Sequence, residues 1–220
     1  SKFIEVAEET GAILDLDAWT LQRACEHMVD WNRLFPERRP LILKVNLSAH
    51  QLCQKELVPM VRRILEITGL SPGLLCLEIT ETALMSDPEA CLGVLKGLRG
   101  LGVQLAVDDF GTGYSSLSYL KRFPVHILKV DRSFVMGLPH DSDDVAIVRT
   151  IVQLADIMGL KLTAEGIEDP KQITALRGMH QMNAQGFLFA KALPASEIEQ
   201  LIAGGPKLPW AHLWPEPPEA

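Results

Sequence analysis

Two adjacent carboxylates, Asp108 and Asp109, close an apolar run that starts at Val103 and lead into Phe110-Gly111-Thr112-Gly113-Tyr114-Ser115-Ser116-Leu117. Apolar residues ending abruptly in charge, then a glycine-spaced turn and a hydroxyl-rich helix start, read as a buried strand delivering acids at its carboxyl end. Successive strand residues face opposite sides, so the two acids converge only if the strand finishes there and Asp109 belongs to the loop. Comparable positions carry Asn46, Glu78, Lys129 with Asp131, Glu165 and Gln185, each closing its own short apolar run. Each alone has a plainer alternative. The aspartates fit a solvated strand end with a helix cap, Asn46 a turn residue before Ser48, and Lys129 a snorkelling strand-end lysine. Gln185 alone says little. The signal is their joint placement.

If Glu78, Asp108, Asp109 and Glu165 share a pocket, their repulsion must be answered. Two like charges ~4 Å apart oppose each other by about 4 kcal/mol at an effective dielectric near 20, against a total stability of about 5–15 kcal/mol. An all-oxygen set of carboxylates plus the Asn46 carbonyl suits hard cations such as Mg²⁺ or Mn²⁺. With Asp108 and Asp109 side by side, two ions sharing a carboxylate are expected, an arrangement that serves in-line phosphoryl displacement.

The surrounding pattern supplies the elements that must hold these groups. Leu14, Ala18, Leu21, Cys25 and Met28 predict a first helix capped by Asp15 or Asp17 and closed by Pro36. Strands are predicted over Leu41–Asn46, Leu74–Ile79, Val103–Asp109, Ile127–Asp131, Leu160–Glu165 and near Met182–Gly186. Helices follow them: Leu57, Val61 and Leu65 up to Gly69; Asp87-Pro88-Glu89 with Cys91, Leu95 and Leu98; Ser115 to Arg122; Val145 to Met158; Asp169-Pro170 with Ile173 and Leu176; and a terminal helix capped by Ser196-x-x-Glu199. Alternation of strand and helix means parallel strands, in an open doubly wound sheet or a barrel. Only a barrel brings every strand end around one mouth, so the expectation is an α/β fold of modified (β/α)₈ TIM type. Eight strands close such a barrel, so about two are expected to precede Ser1. The barrel domain is expected over residues 1–203, with 204–220 a Pro/Gly-rich tail.

With 220 residues, 47% of them hydrophobic, one sizeable core is within reach. The net charge of −7 without any Lys/Arg-rich run excludes electrostatic grip on DNA or RNA. Cys25, Cys53, Cys76 and Cys91 are too widely spaced for a zinc motif or a disulfide scaffold and read as buried small residues in a reducing, cytoplasmic setting. No stretch is long and apolar enough to predict a membrane span.

The ordered series Asn46-Leu47-Ser48, Leu77-Glu78-Ile79-Thr80-Glu81-Thr82, Asp108-Asp109-Phe110-Gly111-Thr112-Gly113-Tyr114-Ser115-Ser116-Leu117, Leu128-Lys129-Val130-Asp131-Arg132-Ser133-Phe134, Ala164-Glu165-Gly166-Ile167-Glu168 and Gln185-Gly186-Phe187 resembles bacterial EAL domains. Phe3-Ile4 and Ala7-Glu8-Glu9-Thr10-Gly11 resemble the segment after their first two strands. The resemblance implies hydrolysis of cyclic di-GMP to its linear dinucleotide with Mg²⁺ or Mn²⁺. It implies Asn46, Glu78 and Asp108 as ligands of one ion, Asp108 shared with a second that Asp109 helps bind, and Glu165 as general base or ligand at the attacking water. Lys129 would steady that water and the phosphate, Asp131 and Gln185 would line the substrate site, and Glu81 would anchor the loop after Asp109 near a homodimer contact. An attached sensor or GGDEF-type domain is also implied, which leaves room for a membrane anchor elsewhere in a cytoplasmic protein. The Glu-Ala-Leu tripeptide does not occur in this sequence, His126 stands where an Asp is usual, and Ala192 where a Pro is usual. The alternative expectation is an inactive EAL-like module that binds the dinucleotide or a protein partner.

Overall fold

The structure, a computed structural model, describes residues 6–7, 10–38, 40–52, 54–113, 117–180 and 182–204. The expected tail beyond Gly204, the helix start at Ser115 with Tyr114 and Ser116, Cys53, and the motif residues Phe3, Ile4, Glu8 and Glu9 lie outside the described residues. The chain divides into two compact units, Ser1–Ile127 and Leu128–Ala220.

In the first unit α1 (Ile13–Leu34) precedes β1 (Leu43–Asn46), α2 (Ala49–Leu52), α3 (Leu57–Thr68), β2 (Leu75–Thr80), α4 (Glu81–Ser86), α5 (Pro88–Gly100), β3 (Gln104–Phe110) and α6 (Leu117–Leu120). The strands are parallel in the order β1-β2-β3. β2 is buried from Leu75 to Ile79 on both faces, as a parallel strand covered by crossover helices must be. Leu105, Ala106 and Val107 of β3 are buried likewise, and Cys76, Ala106 and Ile127 form one apolar cluster. The helices contribute Leu21, Cys25 and Met28 from α1, Val61, Ile64 and Leu65 from α3, and Cys91, Leu95 and Leu98 from α5. α3 packs against both α1 and α5. The α3–α5 approach is close because position 97 is glycine: a Cβ there would sit 2.9 Å from Val58 Cγ2. Burial pushes the Cys25 thiol up to about 11, with Glu26 adding to the rise, so it stays protonated and inert at neutral pH.

The second unit opens within β4 (Ile127–Val130) and continues through α7 (Arg132–Met136), α8 (Ser142–Met158), β5 (Lys161–Ala164), α9 (Pro170–Arg177), β6 (Asn183–Ala184) and α10 (Ala195–Ile202). The strand order is β4-β5-β6, and β5 and β6 are parallel with Thr163 beside Asn183 and Ala164 beside Ala184. α8 packs on β5 through its buried Val148, Ile151, Val152 and Ala155 and ends in left-handed Gly159.

Local chemistry corrects several expectations. α1 starts at Ile13 with Ala12 at its N-cap and no side-chain cap, so neither Asp15 nor Asp17 caps it. Asp17 instead accepts a hydrogen bond from the Ser48 hydroxyl at 2.9 Å. α10 likewise begins at Ala195 behind Pro194, which places Ser196 inside the helix and removes the expected capping box. A capping box does form at α9, between Asp169 and Gln172. α2, α4 and α7, of four to six residues, are too short to show a helical period in sequence. Among the described residues no helix is long and apolar enough to cross a membrane.

Leu77 is 1% exposed at the centre of β2. Leu77→Ala is expected to lower unfolding free energy by about 2–5 kcal/mol, read as a lower urea midpoint with an unchanged slope.

Candidate functional site

The register of the first unit sets its polar groups on one face. Asn46 stands beside Glu78, and Glu78 beside Ala106, so Asp108, two residues beyond Ala106, projects to the same side. Glu78 is buried, Asp108 half-buried and Asn46 exposed. These three are oxygen donors of the hard type, which fits a divalent cation and offers nothing soft.

Asp109 reaches its neighbour's surroundings by a different route from the one expected. The strand runs on to Phe110, although its pairing with β2 ends at Asp108 beside Thr80. The alternation is broken instead by a left-handed backbone, φ 52° at Asp109, where only Asn, Asp and Gly sit readily. Its N–H donates to Asp108 Oδ1 at 3.0 Å, and its carbonyl accepts from the Thr112 hydroxyl at 2.8 Å. Gly111, at φ 100°, then turns the chain. Its N–H donates to Glu81 Oε2 at 2.8 Å, and Glu81 itself is 1% exposed. A Cβ at Gly113 would sit 2.9 Å from Glu81 Oε1, so a larger residue there would have to push that carboxylate aside.

In the second unit the Lys129 ammonium lies 2.6 Å from Glu165 Oε1, with the lysine side chain 3% exposed and the glutamate 16%. The gross attraction is about 6 kcal/mol at an effective dielectric near 20, but desolvation of two ions consumes a comparable amount. The pair therefore fixes where the charges sit more than it adds to stability. Asp131 caps α7, accepting from the Ser133 N–H at 2.9 Å and from the Ser133 hydroxyl. Gln185, exposed just past β6, donates its N–H to the Ala164 carbonyl at 2.9 Å and accepts from Ile167 N–H at 3.1 Å. Gly186 lies against that loop so closely that a Cβ would be 2.2 Å from the Ile167 N and O atoms.

Two residues outside the sequence-predicted set hold this region. Buried Gln172 accepts from the N–H groups of Glu168 and Asp169 at 2.9 and 3.0 Å and donates to the Val135 carbonyl at 3.2 Å, tying the loop after Glu165 to α7. Arg132 adds an ion pair to Glu168 at 2.9 Å. In the first unit Lys44, two residues before Asn46, places Nζ 3.5 Å from Glu78 Oε1. Its position two residues from Asn46 was the signal available in sequence.

Parallel strands with oxygen donors, a lysine and an amide at their carboxyl ends define an α/β protein whose chemistry belongs at the strand ends. The sequence profile of the EAL domain matches residues 1–192. The chain is 44% identical over 201 residues to the cyclic di-GMP phosphodiesterase NbdA of Pseudomonas aeruginosa, covering 91% of this chain and 25% of that protein. Among solved structures it matches the MucR phosphodiesterase in complex with c-di-GMP at 43% identity and TM-score 0.84, over 90% of this chain and 79% of that one. It also matches a manganese and cyclic di-GMP complex of Klebsiella pneumoniae BlrP1 at 31% identity and TM-score 0.71, over 80% of this chain and 44% of that one. The chain belongs to the EAL domain family. Its fold is that family's α/β, modified (β/α)₈ type, and six strands of it fall among the described residues. The chain spans about a quarter of the length of the curated relatives it matches.

Removing the Glu81 carboxylate strands the Gly111 N–H. Glu81→Ala is expected to lower stability by about 1.5–3 kcal/mol and to speed exchange of the Gly111 amide. Unchanged exchange at Gly111 would show that the loop is held by other contacts.

Proposed function

We propose that the protein carrying this chain is a metal-dependent phosphodiesterase that hydrolyses cyclic di-GMP to linear pGpG. The observation that carries the reading is the face shared by Asn46, Glu78 and Asp108, in a chain 43% identical to a phosphodiesterase solved with that dinucleotide. Asn46, Glu78 and Asp108 would hold one divalent ion and Asp108 with Asp109 a second, Mg²⁺ or Mn²⁺ in each case. Manganese is the ion in the BlrP1 complex, and an all-oxygen donor set suits either. Bound divalent cations supply Lewis-acid polarisation of the phosphodiester.

Glu165 takes the proton of the attacking water as the water oxygen bonds to phosphorus and the bond to the leaving ribose oxygen breaks, that oxygen taking a proton from solvent. Lys129, buried and 2.6 Å away, holds the Glu165 carboxylate in place and presents positive charge to the phosphate. Asp131 and Gln185 line the substrate site. The Glu81 contact to Gly111 steadies the loop after Asp109, which would lie near a homodimer contact. An attached sensor or GGDEF-type domain, supported by relatives roughly four times longer than the matched segment, and a cytoplasmic location complete the reading.

The test is turnover by the full-length protein, followed chromatographically. Conversion of cyclic di-GMP to pGpG is expected with Mg²⁺ or Mn²⁺, none after chelation, and recovery when the ion is returned. Glu165→Ala is expected to reduce kcat at least about 100-fold. Binding of the dinucleotide without turnover by the metal-loaded wild type would overturn the enzymatic reading in favour of a receptor.

A further inference from the structure

Lys44 has no part in the chemistry described above, yet its position bears on the donor face. The register pairs it with Cys76 and sets it two residues before Asn46, on the side to which Glu78 also points. Its ammonium lies 3.5 Å from Glu78 Oε1, and its side chain is 28% exposed against 7% for the glutamate. A divalent ion held by the Glu78 carboxylate would therefore stand at short range from this ammonium. At that separation two cations repel strongly in a partly desolvated setting. The lysine must then tolerate the repulsion or swing its stem outward and give up the contact. Either response weakens ion binding.

Resting on the metal-dependent reading above, we propose that Lys44 is a built-in competitor of the divalent ion at Glu78. With metal scarce, its ammonium is a counter-charge that holds the carboxylate in place. With metal present it opposes the ion and raises the divalent concentration at which the site fills. Lys44 is thus a positioning residue for Glu78 and a determinant of metal affinity, with no contact to substrate required.

The experiment is titration of the full-length protein with Mn²⁺ alone, without dinucleotide, followed by electron paramagnetic resonance of the unbound ion. Lys44→Met, which keeps the apolar stem, and Lys44→Gln are each expected to bind Mn²⁺ about tenfold more tightly than the wild type. Lys44→Arg, which keeps the charge, is expected to bind as the wild type does. In chelator the Met and Gln variants are expected to melt at lower temperature and to gain more from added Mn²⁺ than the wild type. Damage to the fold would weaken binding, so tightening is the distinctive result. An equal or weaker Mn²⁺ affinity in both neutral variants would overturn the proposal while leaving the phosphodiesterase reading intact, as would a tightened Lys44→Arg. A wild type that binds no Mn²⁺ would overturn both.

Discussion

A carboxylate taken out of water must be answered by positive charge or by N–H groups, and that requirement shapes the carboxyl ends of β2, β3 and β5. Glu78 has the Lys44 ammonium beside it, Glu165 has that of Lys129, Glu81 takes the Gly111 N–H, and Asp108 takes the N–H of Asp109. Each answer also fixes a position. The ion pairs hold acids at strand ends, and the backbone donors hold the loop that turns away from β3. The apolar strands beneath supply the burial that makes these contacts costly to lose.

Much of this was legible in the sequence because the signals were redundant. The six apolar runs, the polar residue closing each, and the Gly or Pro near several helix ends all point to parallel strands with chemistry at the carboxyl ends. What escaped was chemistry without a period. Gln172 reads as a helix residue, yet its amide satisfies two N–H groups of the loop before α9 and a carbonyl of α7. Lys44 reads as a strand residue in an otherwise apolar run, and only the β1–β2 register reveals that it faces Glu78. The helix caps at Asp15, Asp17 and Ser196 failed for one reason: a capping residue type identifies a cap only when the backbone leaves the helix there, and the helices start earlier. Convergence of Asp108 and Asp109 was expected from a strand finishing between them; β3 runs on to Phe110, and a left-handed backbone at Asp109 breaks the alternation, an event that composition does not announce.

The same economy connects fold to function. Family membership, and likeness to a phosphodiesterase solved with cyclic di-GMP, support the chemical class proposed above. The face shared by Asn46, Glu78 and Asp108 gives that class a physical basis in this chain, since hard oxygen donors at strand ends are what a divalent ion requires. The paired lysines add a second feature of the donor arrangement: each is a monovalent cation already in contact with an acid.

The most direct measurement is anomalous diffraction at the manganese edge from crystals of the full-length protein grown with Mn²⁺. The account predicts a peak bounded by oxygens of Asn46, Glu78 and Asp108. Manganese elsewhere in the crystal, with no peak at that face, would contradict it.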